Sequence, residues 1–332
     1  MSASVSNFIF KFIPGSKPIF SCLILGLGSI LLISSCDFSK SSPPATPETF
    51  TTPLGKVYTP NKPSKTQVEQ YNEAKTAYLK DSTNVELLIW YGRRTAYLGN
   101  YKDAIDIYSK GIQRFPAEAR LYRHRGHRYI SIREFDKAIA DLERGSELIQ
   151  GTPNEVEPDG MPNALNIPVS TLHGNIWYHL GLAYYLKHNY KEAYEAYLKC
   201  RETGSNPDNL VSSTHWLYMI QRRLGNKEVA DSLLTPIHKD LEVIENTNYY
   251  DLCKFYKGLI TEDALTQAEG SAAASDAISY GLANWHLYEG RQEKGLEVLT
   301  DIIEGQSWTS FGYIAAESDL MKMKVSELNI TK

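Results

Sequence analysis

His124 and His127 stand three residues apart in a stretch of helical pattern, a spacing at which two imidazoles on one face could share a metal ion. Arg123, Arg125 and Arg128 flank them, and that much positive charge opposes a cation. His173 and His179 are six apart and diverge on a single helix. The acidic run Glu155-x-Glu157-x-Asp159-Gly160 has the opening of a calcium loop, but no bidentate Glu follows where such a loop needs one. Cys200 and Cys253 both lie in apolar helical patterns, which favours buried thiols over a disulfide. Gly-x-Ser-x-Gly, P-loop, dinucleotide-binding glycine, His-Glu-x-x-His and Cys-x-x-Cys patterns do not occur. The residues therefore offer no catalytic constellation, metal ligand set or cofactor cradle. A non-enzymatic protein is expected.

The elements that carry these residues follow from length and pattern. The chain has 332 residues, 42% of them hydrophobic, enough for a sizeable core and too few for a polytopic membrane protein. Its 35 basic residues against 39 acidic ones argue against a nucleic-acid binder, which needs a basic excess to displace counterions from phosphates. Tyr is abundant, with 22 copies, and most are expected in the core.

The N-terminal segment is a targeting signal. Residues 1–17 carry Lys11 and Lys17, and an apolar run from Pro18 to Ser35 ends at Cys36. Ile33-Ser34-Ser35-Cys36 resembles the bacterial lipobox: a branched apolar residue, two small ones and the lipidated cysteine. The resemblance implies that residues 1–35 are a signal peptide and that Cys36 becomes an acylated N-terminus. Cys22 is rejected because no apolar run precedes it. An uncleaved transmembrane anchor is the alternative, since the run approaches the minimum membrane span. Either way the remainder lies outside the cytoplasm, in the cell envelope. Removing residues 1–35 takes away two bases and no acid, leaving 33 against 39. Residues 36–64 hold six prolines and many Ser and Thr, and read as a tether with a reach on the order of 30 Å.

From residue 65 the pattern is helical and repeats itself. Gly92, Ala104, Tyr108 and Gly111 recur 34 residues later as Gly126, Ala138, Leu142 and Gly145. After an insertion of 21 residues beyond the period, Trp177, Leu180, Gly181, Tyr184, Ala193, Tyr197 and Cys200 supply a third copy. This spacing resembles the tetratricopeptide repeat (TPR). The resemblance implies an all-α solenoid of antiparallel helix pairs with a concave groove, in clear copies at 85–118, 119–150 and 174–205. Degenerate copies are expected at 211–237, 248–267 and 274–305, a lone helix at 65–80 and a closing helix at 308–326. The insertion after the second copy reads as a plain surface loop.

The resemblance also assigns the groove. Positions 2, 5, 9, 12 and 13 of each first helix line it, which places Arg93, Arg120, Arg123, His127 and Arg222 beside Tyr97, Tyr178 and Tyr185. Arginine forks take carboxylates and tyrosines give rigid contact area, so the expected partner is a protein or peptide segment with acidic character. The alternative for these arginines is pairing with Glu134, Asp136 or Glu143 of the neighbouring helix. The pattern of chaperone-tail receptors is not met, because Ile89 stands where their first Lys would be. A lipid-anchored scaffold or adaptor is thus the leading reading, and a small-molecule or glycan-binding lipoprotein for nutrient uptake is the alternative. No cofactor and no metal are expected.

Overall fold

A computed structural model describes residues 49–267 and 272–330. Cys36, the signal segment and the first part of the tether lie outside the described residues. A short hairpin, β1 (Phe50–Thr51) and β2 (Val57–Tyr58), precedes fourteen helices: α1 (Lys65–Lys80), α2 (Val85–Tyr97), α3 (Tyr101–Arg114), α4 (Ala119–Ser131), α5 (Phe135–Leu148), α6 (Leu172–Leu186), α7 (Tyr190–Glu202), α8 (Pro207–Arg223), α9 (Lys227–Leu233), α10 (Thr247–Tyr256), α11 (Glu262–Thr266), α12 (Ala272–Tyr288), α13 (Gln292–Glu304) and α14 (Phe311–Ile330). The described residues are all-α apart from the hairpin, and none of the described helices is long and apolar enough to cross a membrane.

Local chemistry explains the helix ends. Ser64 and Gln67 form a capping box at α1, and Asn84, Thr171 and Asn206 cap α2, α6 and α8 with their side chains. Each first helix of a pair ends on a left-handed residue: Gly99, Arg133, His188, Gly225, Gly258 and Gly290, with φ between 60° and 84°. At Arg133 the next amide, Glu134 N, reaches back to Tyr129 O, and Asn189 N reaches Tyr184 O in the same way, satisfying carbonyls the helix leaves bare. Glycine adopts this conformation freely. Arg133 and His188 adopt it at a cost of about 1–2 kcal/mol.

Both of these residues use their side chains to hold the closing helix. Arg133 donates to Glu317 and to the carbonyls of Ser131 and Trp308, with its guanidinium over the rings of Phe50, Trp308 and Tyr313. His188 contacts Ser318 and Tyr190. Arg223, at the end of α8, binds Asp319 and Asn284. The main core gathers under these contacts, with Trp216 stacked on Tyr197 and Tyr185 meeting Tyr280.

The tether is shorter than its prolines imply. Phe50 stacks on Trp308 at 5.1 Å, Tyr58 shares a 2.8 Å hydroxyl contact with Tyr313, and Lys56 donates to Ile303 O. Three residues of a Pro-rich segment thus find partners some 250 positions later, which no local pattern reveals. The closing helix also differs from its expected bounds, beginning at Phe311 and running to Ile330.

Candidate binding groove

The expected surface loop is not a plain one. Residues 151–171, between α5 and α6, form a strap whose two limbs pair through an antiparallel bridge at Val156 and Thr171. Glu157 N donates to Ser170 O at 3.0 Å, and Leu172 N to Glu155 O at 2.9 Å. Between these bonds the strap turns its Glu157 side chain inward, where it is only 5% exposed.

Glu157 lands in a cage built by three helices. Arg123 Nη2 of α4 lies 3.2 Å from Oε2, His124 Nε2 lies 3.2 Å from Oε1, and Asn175 of α6 donates to Oε2. Arg123 Nη1 also donates to His124 Nδ1, so the histidine keeps its proton on Nε2, the nitrogen nearer the carboxylate. Arg93 of α2 donates to Pro158 O at 2.8 Å, and Arg94 to Gly160 O at 3.0 Å. Gly160 sits against Tyr97 so closely that an added Cβ would lie 2.0 Å from the phenol oxygen.

Electrostatics fix the protonation states. Burial alone would raise the Glu157 carboxyl, but the Arg123 charge and the His124 contact outweigh it and hold it well below the usual carboxylate range. His124 is pushed down to about 3, first by burial and then by the Arg123 charge. His179 is likewise pushed down to about 3 by the same two causes, and its Nδ1 donates to Asn175 O. The cage is therefore an anionic carboxylate among guanidiniums and neutral imidazoles.

Beside the strap, along α6, α8 and α10, runs a cavity of about 310 Å³. Asn175, Tyr178, Ser212, Glu245, Tyr249 and Phe311 line it. Tyr178 and Tyr249 share a 3.0 Å hydroxyl contact, and Trp216 donates its indole N–H to Tyr178. Asp208 accepts from the backbone of Ile244, Glu245 and Asn246, which pins the loop at the cavity's edge.

The same packing recurs in three helix pairs. A Cβ at Gly92 would strike Tyr108, one at Gly126 would strike Leu142, and one at Gly181 would strike Tyr197. Those contacts join positions 8 and 24 of the 34-residue period three times over. The fold is an all-α, TPR-like array of antiparallel helix pairs. No family profile and no curated protein sequence matches the chain. Several solved structures are similar, among them the following two. One is YrrB, a TPR protein with an unusual peptide-binding site, 17% identical with a TM-score of 0.40, the match covering 76% of this chain and 99% of that one. The other is a tetratricopeptide repeat protein from Parabacteroides merdae ATCC 43184, 16% identical with a TM-score of 0.46, covering 76% of this chain and 92% of that one.

In this array the assigned groove residues separate into four fates. Arg93, Arg123 and Tyr97 hold the strap, as described. Arg120 stays at the rim, where Glu118 and Glu86 hold it. His127 packs on His179 at 4.4 Å and on Phe311, and Tyr178 joins the cavity floor. Tyr185 and Arg222 are not on the groove surface. Tyr185 is 1% exposed in the core beneath Tyr280, because α12 covers it. Arg222 clasps Tyr218 and Glu289 and stacks on Tyr288. The three tyrosines thus form no common platform.

The expected alternative pairing also differs. Glu134 pairs with Lys137, Asp136 with Lys187, and Glu143 accepts from Tyr184. The arginines find Glu157, Glu118 and Glu86 instead. Glu157 and Asn175 as a carboxylate seat were missed: the sequence marks Glu157 only as part of an acidic run, and nothing in it brings that run to Asn175. Cys200 and Cys253 are free buried thiols. Burial pushes Cys200 up to about 12 and raises Cys253 as well.

Proposed function

We propose that this chain is a non-enzymatic TPR scaffold, anchored outside the cytoplasm through a lipid on Cys36, that captures a protein partner across the strap and the concave face it covers. The observation that supports this most is the strap's outer side. Val156, Met161, Leu165 and Ile167 are exposed there, Met161 at 74% and Leu165 at 62%. Folding of the helix pairs does not need them, and apolar groups clustered on one loop are characteristic of interaction sites.

Cross-linked capture from envelope membranes tests the reading, with the native chain beside Met161→Asp/Leu165→Asp and Cys36→Ala forms. The double variant should lose the partner with its helicity unchanged, and Cys36→Ala should leave the membrane fraction. Undiminished capture by the double variant would remove the strap from the function.

The cavity favours a second reading. Its amide and hydroxyl groups beside the Tyr178 and Tyr249 rings suit a small hydroxylated ligand such as a glycan. Calorimetry against oligosaccharides separates the two, since saturable heat without a protein partner belongs to the second reading only.

A further inference from the structure

The cage around Glu157 is built like a ligand site, yet its occupant is part of the same chain. We propose that the cage of Arg93, Arg123 and Asn175 is a receptor for a carboxylate-bearing extended peptide offered in trans, and that residues 155–160 are its built-in stand-in. The inference deepens the scaffold reading and rests on it for the source of the peptide.

Three observations carry it. First, everything the cage recognises is generic to an extended peptide: one carboxylate, at Glu157, and two main-chain carbonyls, at Pro158 and Gly160. Only the residue three beyond the acid is restricted, because Tyr97 leaves no room for a Cβ there. The ligand class is therefore an acidic residue followed at the third place by glycine.

Second, the strap is held mainly by polar contacts. Val156, Met161 and Leu165 face outward, so the segment contributes little of the apolar burial that dominates most docking. Asn154, Asn163 and Val169 tie the rest of the strap to Thr203, Glu245 and Asn206, and within residues 155–160 the docking side chain is the Glu157 carboxylate, a group any competing acidic peptide also carries.

Third, the cage is incompletely satisfied. Arg93 Nε and Arg123 Nε are buried without an acceptor, and Glu157 Oε1 and Asp159 Oδ2 are buried without a donor. Arg123 pairs with the buried carboxylate, while the Arg93 guanidinium has only the Pro158 carbonyl. Unmade bonds of this kind disfavour the docked strap and leave room for a ligand that makes them.

The test uses the folded chain and the acetylated hexapeptide spanning residues 155–160, with binding read by calorimetry. In the native chain the tethered strap competes at high effective concentration, and the peptide should bind weakly. Glu157→Gln removes the carboxylate from the strap. Gly160→Leu pushes the strap off Tyr97 while leaving the cage intact, and covers the case in which Glu157→Gln fails to fold. Either variant should bind the peptide at least tenfold tighter than the native chain, with faster amide exchange at 156–160. A peptide with Gln in place of its second Glu should lose that gain. Equal binding of both peptides, or no gain in either variant, overturns the proposal. Peptide binding without membrane-partner capture supports the cage and sinks the scaffold reading; partner capture without the peptide gain does the reverse.

Discussion

Arg133 Nε donates to Glu317 Oε2 at 2.8 Å, with both side chains almost wholly buried, and it does so from a left-handed turn at φ 64°. A buried ion pair adds little net stability, because desolvation offsets attraction, but losing one partner strands the other. Arg133→Ala is therefore expected to destabilise the fold by about 3–5 kcal/mol. Arg133→Gly relaxes the turn yet strands the same carboxylate, and should recover only about 1 kcal/mol of that loss. Urea unfolding of Arg133→Ala, Glu317→Ala and the double variant gives the coupling. A value below about 0.5 kcal/mol would show the two residues to be independent.

Acid should unfold this protein early. Burial pushes His124, His179 and His215 down to about 3, with the Arg123 charge adding to the first two. In the unfolded chain these groups return to about 6.5, so the unfolded state takes up protons first as pH falls. Stability is complete above about 6.5 and declines below it by about 1.4 kcal/mol per pH unit for each histidine. The depressed Glu157 carboxyl adds its own loss at lower pH, in the same direction. Far-UV circular dichroism should show unfolding between about pH 4 and 5.5, given a total stability of about 5–15 kcal/mol. A flat signal down to pH 4 would contradict the assignment of these histidines as neutral and buried.

The close approach of Gly92 to Tyr108 gives a packing test. An added Cβ would lie 2.4 Å from Tyr108 Cε1, and the ring is itself buried. Gly92→Ala should cost about 1–3 kcal/mol by overpacking. Leu142 at the equivalent position of the second pair would still meet an added Cβ at 2.8 Å, so Tyr108→Ala rather than Tyr108→Leu is the change that relieves the clash. Thermal melts of the double variant are expected to show less destabilisation than the two single losses added together. Full additivity would mean that the contact does not limit the approach of the helices.

The all-α TPR fold was legible because its signals are local and repeated. Gly92, Gly126 and Gly181 mark the close approaches, and Gly99 and Gly225 mark the turns, at spacings a short window of sequence displays. Arg133 and His188 hid two further turns, since neither residue type announces a left-handed backbone. The groove was legible only by position. Which groups fill it depends on Glu157, Phe50 and Glu317, and each reaches its partners through contacts between segments far apart in the chain. Helical period says nothing about such contacts, so Tyr185 and Arg222 were expected on a surface that α12 in fact covers or closes off.

The clasp of Arg133 and His188 on the closing helix also sets a copy number. In an open solenoid each unit touches only its neighbours, so gaining or losing a unit leaves the other interfaces intact. Here Glu317 and Ser318 must meet turns that lie some 130–184 residues earlier. One helix pair more or fewer in that span would carry both residues out of reach and strand Arg133 and Glu317 together. The length of this array is thus quantised by a single long-range handshake, and it would be expected to change by substitution far more readily than by duplication.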